Sequence, residues 1–316
     1  MKILHFCPAN LATGGTEGIH HLVSELCKCG ADAKILYCGS DLSNPQPEIY
    51  KKKYNCEYVT AIPNDFDGAI IFPEVWGNRV IEQQFRDFVK VINWQGIDVY
   101  RWNNPRDKWN IFLRDKSVIH LTMSEYGMQY LRSLKLNPIK VSDCINDAYF
   151  DDYTIDDASR SDVVLYNPVK VKMTKFQQIV MARSTTELGI RFKPIEGYTQ
   201  EQLIDLFRHS KLYIDFGVFS GRERLPREAV ACGCCILTSD KGTAHYYEDN
   251  SILDKYKTEN VDEAIRMIQY CLHNYILCKQ DFDKYRRLLK EDLNNYTNEV
   301  KELYNEILNS YTSTQR

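Results

Sequence analysis

The chain has 316 residues, 44% of them hydrophobic and 26% charged, with a formal net charge of −3. That is the composition of a globular protein long enough for two cores of ordinary size. The near balance of charge excludes bulk nucleic-acid binding, and no apolar run approaches the roughly 18 residues of a membrane-spanning helix.

Met1-Lys2 leads straight into an apolar run, so no signal peptide is expected. Eleven cysteines, an odd count, then point to a reducing cytoplasm. Cys27 and Cys29 form a CxC, and Cys232, Cys234 and Cys235 cluster, but no second CxxC or histidine pair accompanies them. They read as small buried thiols and not as a zinc site.

Residues 2–9, KILHFCPA, read as a first parallel strand. A glycine-rich turn (10–18) follows, and residues 19–30 make a helix with Ile19, Leu22, Val23 and Leu26 on one face, stopped by Gly30. Residues 33–39 form the next strand. This is the start of a Rossmann-like α/β unit, but the turn is not GxGxxG, which disfavours a dehydrogenase. The alternation continues: a strand at 68–74, a helix at 79–88, and strands at 90–96 and 117–124. Ligands of such sheets gather at the carboxyl ends of the strands. Glu74, Trp94, Gln95 and Ser124 fall there, and with His20 and His21 they are the candidates for binding an acceptor. For a histidine near a helix start, a structural role is the commoner one.

The acidic run 151–162 reads as the linker between a first domain, 1–155, and a second, 156–316. A second sheet opens at 163–168, with Lys170 and Lys172 just beyond that strand. A strand at 190–194 and a helix at 199–209 follow; Thr199 and Gln202 have the spacing of a capping box. Residues 212–216 are a buried strand, 217–224 a charged loop, and 234–238 another strand. Pro226 stands where a helix would start and Gly233 where it would stop.

Arg222, Arg224, Arg227, Glu223 and Glu228 crowd that helix start. Helix amides and arginine forks suit phosphate oxygens, and carboxylates accept from sugar hydroxyls. The loop therefore fits a nucleotide sugar, although a surface loop whose charges pair with each other is an equal alternative. From Asn260 onward the pattern is helical, with Leu288, Leu289, Leu293, Val300, Leu303, Ile307 and Leu308 forming a stripe. Two DxD strings, Asp65–Asp67 and Asp281–Asp283, lie at no suitable strand end and read as chance.

The run 220–244, SGRERLPREAVACGCCILTSDKGTA, resembles the donor-binding segment of GT-B glycosyltransferases, above all family 4-like enzymes with a PGRERxPREA-type motif. The resemblance implies two Rossmann-like domains facing a cleft, with the terminal helices packing back toward the first. Glu228 would hold the ribose, and Glu223 the transferred sugar. The family spaces its two glutamates eight apart, and here that position is Ser220. Gly14 and Gly15 resemble the family's first-domain glycine loop. Lys170 and Lys172 stand near an NPxKG-type turn whose glycine is Val171 here, and the backbone at Pro194-Ile195 would read the base.

By that resemblance the chain would move a hexose-type sugar from a nucleotide diphosphate donor to a glycan or lipid-linked acceptor. No metal or cofactor would be needed, and the anomeric configuration would be retained. Glu223, Lys170 and Arg224 would carry the chemistry. Ser220, Gly221, Arg222 and Leu225 would complete the donor site. The location would be the cytoplasm, with room for peripheral association at the inner face of the membrane. A nucleotide-sugar epimerase or phosphorylase, and a non-catalytic binding subunit of a polysaccharide assembly complex, are the rival readings.

Overall fold

The computed structural model describes residues 1–98, 115–150, 156–168 and 174–314. The chain divides into two compact units, Met1–Asp143 with Asn295–Arg316, and Cys144–Asn294.

The first unit is built on a seven-stranded sheet. Its strands are β1 (Lys2–Pro8), β2 (Asp32–Cys38), β3 (Tyr58–Val59), β4 (Gly68–Pro73), β5 (Val89–Trp94), β6 (Ile119–Thr122) and β7 (Ile139–Lys140). They run in the order β3-β2-β1-β4-β5-β6-β7, with every neighbouring pair parallel. Ile3, Ile35, Ile70, Ile71 and Val91 are wholly buried, the pattern of strands covered on both faces. The helices are α1 (Gly14–Lys28), α2 (Glu48–Tyr54) and α3 (Glu125–Ser133).

Two expectations are corrected here. Helix α1 begins at Gly14, five residues before the apolar stripe that announced it, because Thr13 and Thr16 form a capping box ahead of that stripe. Gly14 and Gly15 are thus first-turn helical residues. The helix expected over 79–88 is instead a pair of 3-10 stretches, Glu74–Ile81 and Gln83–Phe85. Glu82 breaks between them in an extended conformation, and its carboxylate takes the Arg79 guanidinium at 3.0 Å.

The second unit carries a four-stranded, all-parallel sheet in the order β11-β10-β8-β9. The strands are β8 (Ser161–Tyr166), β9 (Phe192–Pro194), β10 (Ser210–Asp215) and β11 (Cys235–Thr238). Between them run α4 (Lys175–Leu188), α5 (Gln200–Arg208) and α6 (Arg224–Ala231). Thr199 and Gln202 do form a capping box on α5. Ser161 already belongs to β8, and Asp157–Ser159 is a 3-10 turn, so the later part of the expected linker is structured.

Helix α6 begins at Arg224, which puts Pro226 at its third position and not its first. Proline is tolerated there because a first-turn amide has no acceptor within the helix. Gly233 ends the helix at φ +93°. The Arg160 guanidinium lies beside it and donates to the carbonyls of Phe207, Ser210 and Cys232 at 3.2, 2.9 and 2.9 Å. A Cβ on Gly233 would lie 2.7 Å from Arg160 Nη2, so only glycine suits both the backbone and the neighbour.

The chain closes with α7 (Tyr247–Asn250), α8 (Val261–His273), α9 (Tyr275–Gln280) and the long α10 (Asp283–Thr314). Up to Asn294, α10 belongs to the second unit; from Asn295 it belongs to the first. There Thr297 donates to Glu25 at 2.5 Å, and Glu299 accepts from the Ser142 amide and hydroxyl at 2.6 and 3.1 Å. No helix of the described residues is long and apolar enough to cross a membrane.

Candidate functional site

All strands of the second sheet are parallel, so their carboxyl ends share one edge. Among the described residues, the loops after β9, β10 and β11 start from that edge. The loop after β10 carries the arginines and glutamates and is fixed from several sides. Ser239 Oγ donates to the Gly217 carbonyl at 2.7 Å, and the Thr243 amide donates to Phe219 O at 2.8 Å. Thr243 Oγ1 donates to Gly221 O at 2.6 Å. Arg227, wholly buried, reaches back from α6 to the carbonyls of Arg222 and Glu223 at 2.6 and 3.1 Å.

Glu223 occupies the N-cap position of α6, half-buried, with Ser220 Oγ 3.5 Å from its Oε1. Arg224 and Leu225 open the helix, and their amides are among those a helix start leaves without an intrahelical acceptor. Arg224 is 9% and Glu228 7% exposed, which argues against a solvated surface loop. The structure thus brings Ser220, Gly221, Glu223, Arg224, Leu225 and Glu228 together at one edge.

Arg222 is placed otherwise. Its side chain is 2% exposed and its Nη2 lies 2.5 Å from Asp292 Oδ2 on α10. Burial works against the charged guanidinium, but the Asp292 carboxylate outweighs it and holds the group firmly protonated. Removing one partner of such a pair would strand the other's charge, at a cost of roughly 3–5 kcal/mol. Sequence spacing gives no sign of this pairing, because the partners stand 70 residues apart. Ile195 follows β9 on the same sheet edge, and its amide donates to Tyr166 O at 2.8 Å, so that N–H is already spent on the sheet. Lys170 and Lys172 lie outside the described residues.

In the first unit, the carboxyl edge joins three loops through one chain of hydrogen bonds. The Glu74 carboxylate, 5% exposed after β4, accepts from the amides of Gln95 and Gly96 at 3.1 and 2.9 Å. Gln95 Nε2 in turn donates to the Gly15 carbonyl at the start of α1, at 2.9 Å. A Cβ on Gly15 would lie 3.3 Å from Gln95 Oε1, so a side chain there would require the Gln95 amide to give by a few tenths of an ångström.

Burial lifts the Glu74 carboxyl from its ordinary 4.5 to about 7, against the amide bonds that favour its ionised form. A carboxyl whose folded value is raised stabilises the fold below its unfolded value, and that contribution fades as pH climbs through the folded value. Glu74→Gln should therefore remove a stability decline of up to about 3 kcal/mol between roughly pH 4.5 and 8. Urea unfolding of both proteins at the two ends of that range measures it; equal slopes would contradict the assignment.

His20 and Trp94 are core residues. His20 is wholly buried, with Nδ1 donating to Thr16 O at 2.7 Å and Nε2 accepting from Tyr37 Oη at 2.6 Å. Both ring nitrogens are occupied, and burial lowers its pKa below the ordinary 6.5. Trp94 Nε1 donates to His120 Nδ1 at 3.0 Å. His21 packs between Tyr54 and Tyr296, ring centroids 5.5 and 4.5 Å away, and Ser124 caps α3. Of the acceptor-side candidates, Glu74 and Gln95 are joined at the sheet edge.

The DxD carboxylates are engaged locally: Asp65 with Lys2, Asp67 with Tyr311, Asp281 with Lys255 and Tyr256, and Asp283 with Arg286.

By fold, the chain is an α/β protein with two Rossmann-like units, of the kind found in GT-B glycosyltransferases. No family model and no curated protein matches it by sequence. Among solved structures it is similar to a sucrose-phosphate synthase from Thermosynechococcus elongatus, with a TM-score of 0.70, 13% identity, and 98% of this chain and 99% of that one covered. It is similar to HepE of Anabaena, solved in complex with UDP-glucose, at a TM-score of 0.67 and 10% identity over 98% of this chain and 100% of that one. WaaG, a glycosyltransferase involved in lipopolysaccharide biosynthesis, gives 0.60 and 10% over 96% and 99%.

Proposed function

We propose that the chain is a glycosyltransferase that moves a hexose-type sugar from a nucleotide diphosphate donor to a glycan or lipid-linked acceptor. The observation that carries this reading is the buried loop and helix start from Ser220 to Glu228, at the carboxyl edge of the second unit's sheet. It supports donor binding because it combines anion-binding amides, a buried arginine and two carboxylates in a fold shared with a protein crystallised with UDP-glucose.

In the proposed chemistry, Glu228 accepts hydrogen bonds from the ribose hydroxyls and Glu223 from the transferred sugar. Arg224, the α6 amides and Lys170 or Lys172 offset the negative charge that grows on the leaving diphosphate. Arg222 has no direct part in that offset, being held by Asp292. The first unit offers the acceptor an edge organised by Glu74, Gln95 and Gly15. Transfer proceeds without a divalent metal and with retention of configuration. Association with a membrane face, if the acceptor is lipid-linked, is peripheral.

A thermal-shift screen of UDP-, GDP- and ADP-hexoses identifies the donor, since a ligand selective for the folded state raises its apparent stability. The donor so found is then incubated with glycan acceptors in EDTA. The expected result is nucleoside diphosphate release that needs an acceptor and persists in EDTA. Activity lost in EDTA and restored only by manganese or magnesium would contradict the metal-free step. Conversion of the donor sugar without any acceptor would favour the epimerase.

A further inference from the structure

Two side chains on one face of α10, seven residues apart, back the proposed donor site. Asp292 takes Arg222 at 2.5 Å and so anchors the loop between β10 and α6 by its side chain. Tyr285 donates to Asn250 Oδ1 at 2.7 Å, and Asn250 Nδ2 donates to the Thr243 carbonyl at 2.6 Å. Thr243 in turn holds Phe219 and Gly221 of the same loop, through its amide at 2.8 Å and its hydroxyl at 2.6 Å. Arg222, Tyr285, Asn250 and Thr243 are all at most 4% exposed, so solvent cannot replace these partners.

The geometry points to Asp292 as a positioning residue for donor binding, and this inference rests on the donor site proposed above. Asp292 is remote in sequence from the glutamate-bearing loop and is buried against Arg222. It fixes the Arg222 side chain, while Arg227 fixes the carbonyls of Arg222 and Glu223. Between them they hold the backbone from which Glu223 and the first amides of α6 are presented. Without Asp292 the buried guanidinium loses its hydrogen-bonded counter-charge and keeps only the weaker pull of Asp249, which favours its movement toward water and draws residues 221–223 with it. A shift of about 1 Å in groups that grip a diphosphate is enough to weaken their hold severely.

The test titrates UDP, GDP and ADP in parallel into the full chain by calorimetry, at a temperature where every variant is folded by circular dichroism. Asp292→Ala should weaken the nucleotide that binds by about tenfold or more, and Asp292→Asn, which keeps an acceptor oxygen toward Arg222, should recover most of that loss. Ile268→Ala is the control, a wholly buried change on α8, away from residues 217–224 in sequence, that lowers stability without altering the Asp292–Arg222 pair. Its affinity should stay within about twofold of the wild type. Equal affinity of Asp292→Ala and wild type overturns the inference. So does an equal loss in Ile268→Ala, which would make the effect one of general stability. Failure of the wild type itself to bind any of the three nucleotides strikes the donor-site reading first, and this inference with it.

Discussion

Replacing Glu228 with alanine is expected to abolish nucleoside diphosphate binding, a loss of at least about a hundredfold, while leaving the protein folded. Glu228 is 7% exposed, on the second turn of a helix whose start carries Arg224 and is strapped by Arg227. A carboxylate in that position accepts from two neighbouring hydroxyls, as a ribose offers. Hydrogen bonds to a charged group contribute about 1.5–3 kcal/mol each, so two of them account for a loss of that size. Glu228→Gln, which keeps the shape and removes the charge, should fall between. Calorimetry with the donor nucleotide measures both, and unchanged affinity in Glu228→Ala would remove the ribose assignment.

The largest effect on stability is expected from Gly68→Ala. Gly68 opens β4 directly opposite Lys2 of β1. A Cβ there would fall far inside van der Waals contact with the Lys2 carbonyl oxygen, which is backbone and cannot swing aside. The two strands would have to part at the centre of the seven-stranded sheet. A cost of about 3 kcal/mol or more is expected, at or beyond the upper end of what overpacking a core usually costs, because the obstructing atom is backbone. Chemical unfolding of the variant tests it; a change below about 1 kcal/mol would show that the strands can separate cheaply there.

What the sequence revealed followed from local chemistry. The apolar runs at 2–9, 33–39, 68–74 and 212–216 became strands because they are short, rich in β-branched and aromatic residues, and hidden on both faces of a covered parallel sheet. The Thr199 and Gln202 cap and the Gly233 stop needed only near neighbours, and both appear. The candidate donor loop was legible because its charges are concentrated in one short stretch.

The misses have equally physical causes. Helix α1 runs back to Gly14 because a threonine cap overrides the weak helix propensity of two glycines. His20, a candidate for which the structural role was the commoner expectation, does take that role, but its partner Tyr37 on β2 is one no helical spacing could suggest. Arg222 reads as a phosphate ligand until Asp292, 70 residues on, takes it. Glu74 was found as a strand-end acid, but its tie to the amides of Gln95 and Gly96 depends on β4 and β5 lying side by side. Pairings across long stretches of chain are set by the sheet order, and that order is not written in any one segment.

The central claim is that the stretch from Ser220 to Glu228 grips a nucleoside diphosphate. A crystal structure of the chain soaked with the nucleotide that binds tests it most directly. The diphosphate is expected at the first-turn amides of α6 beside Arg224, with the ribose hydroxyls on Glu228. A nucleotide seated elsewhere, with Glu228 and those amides untouched, would contradict it.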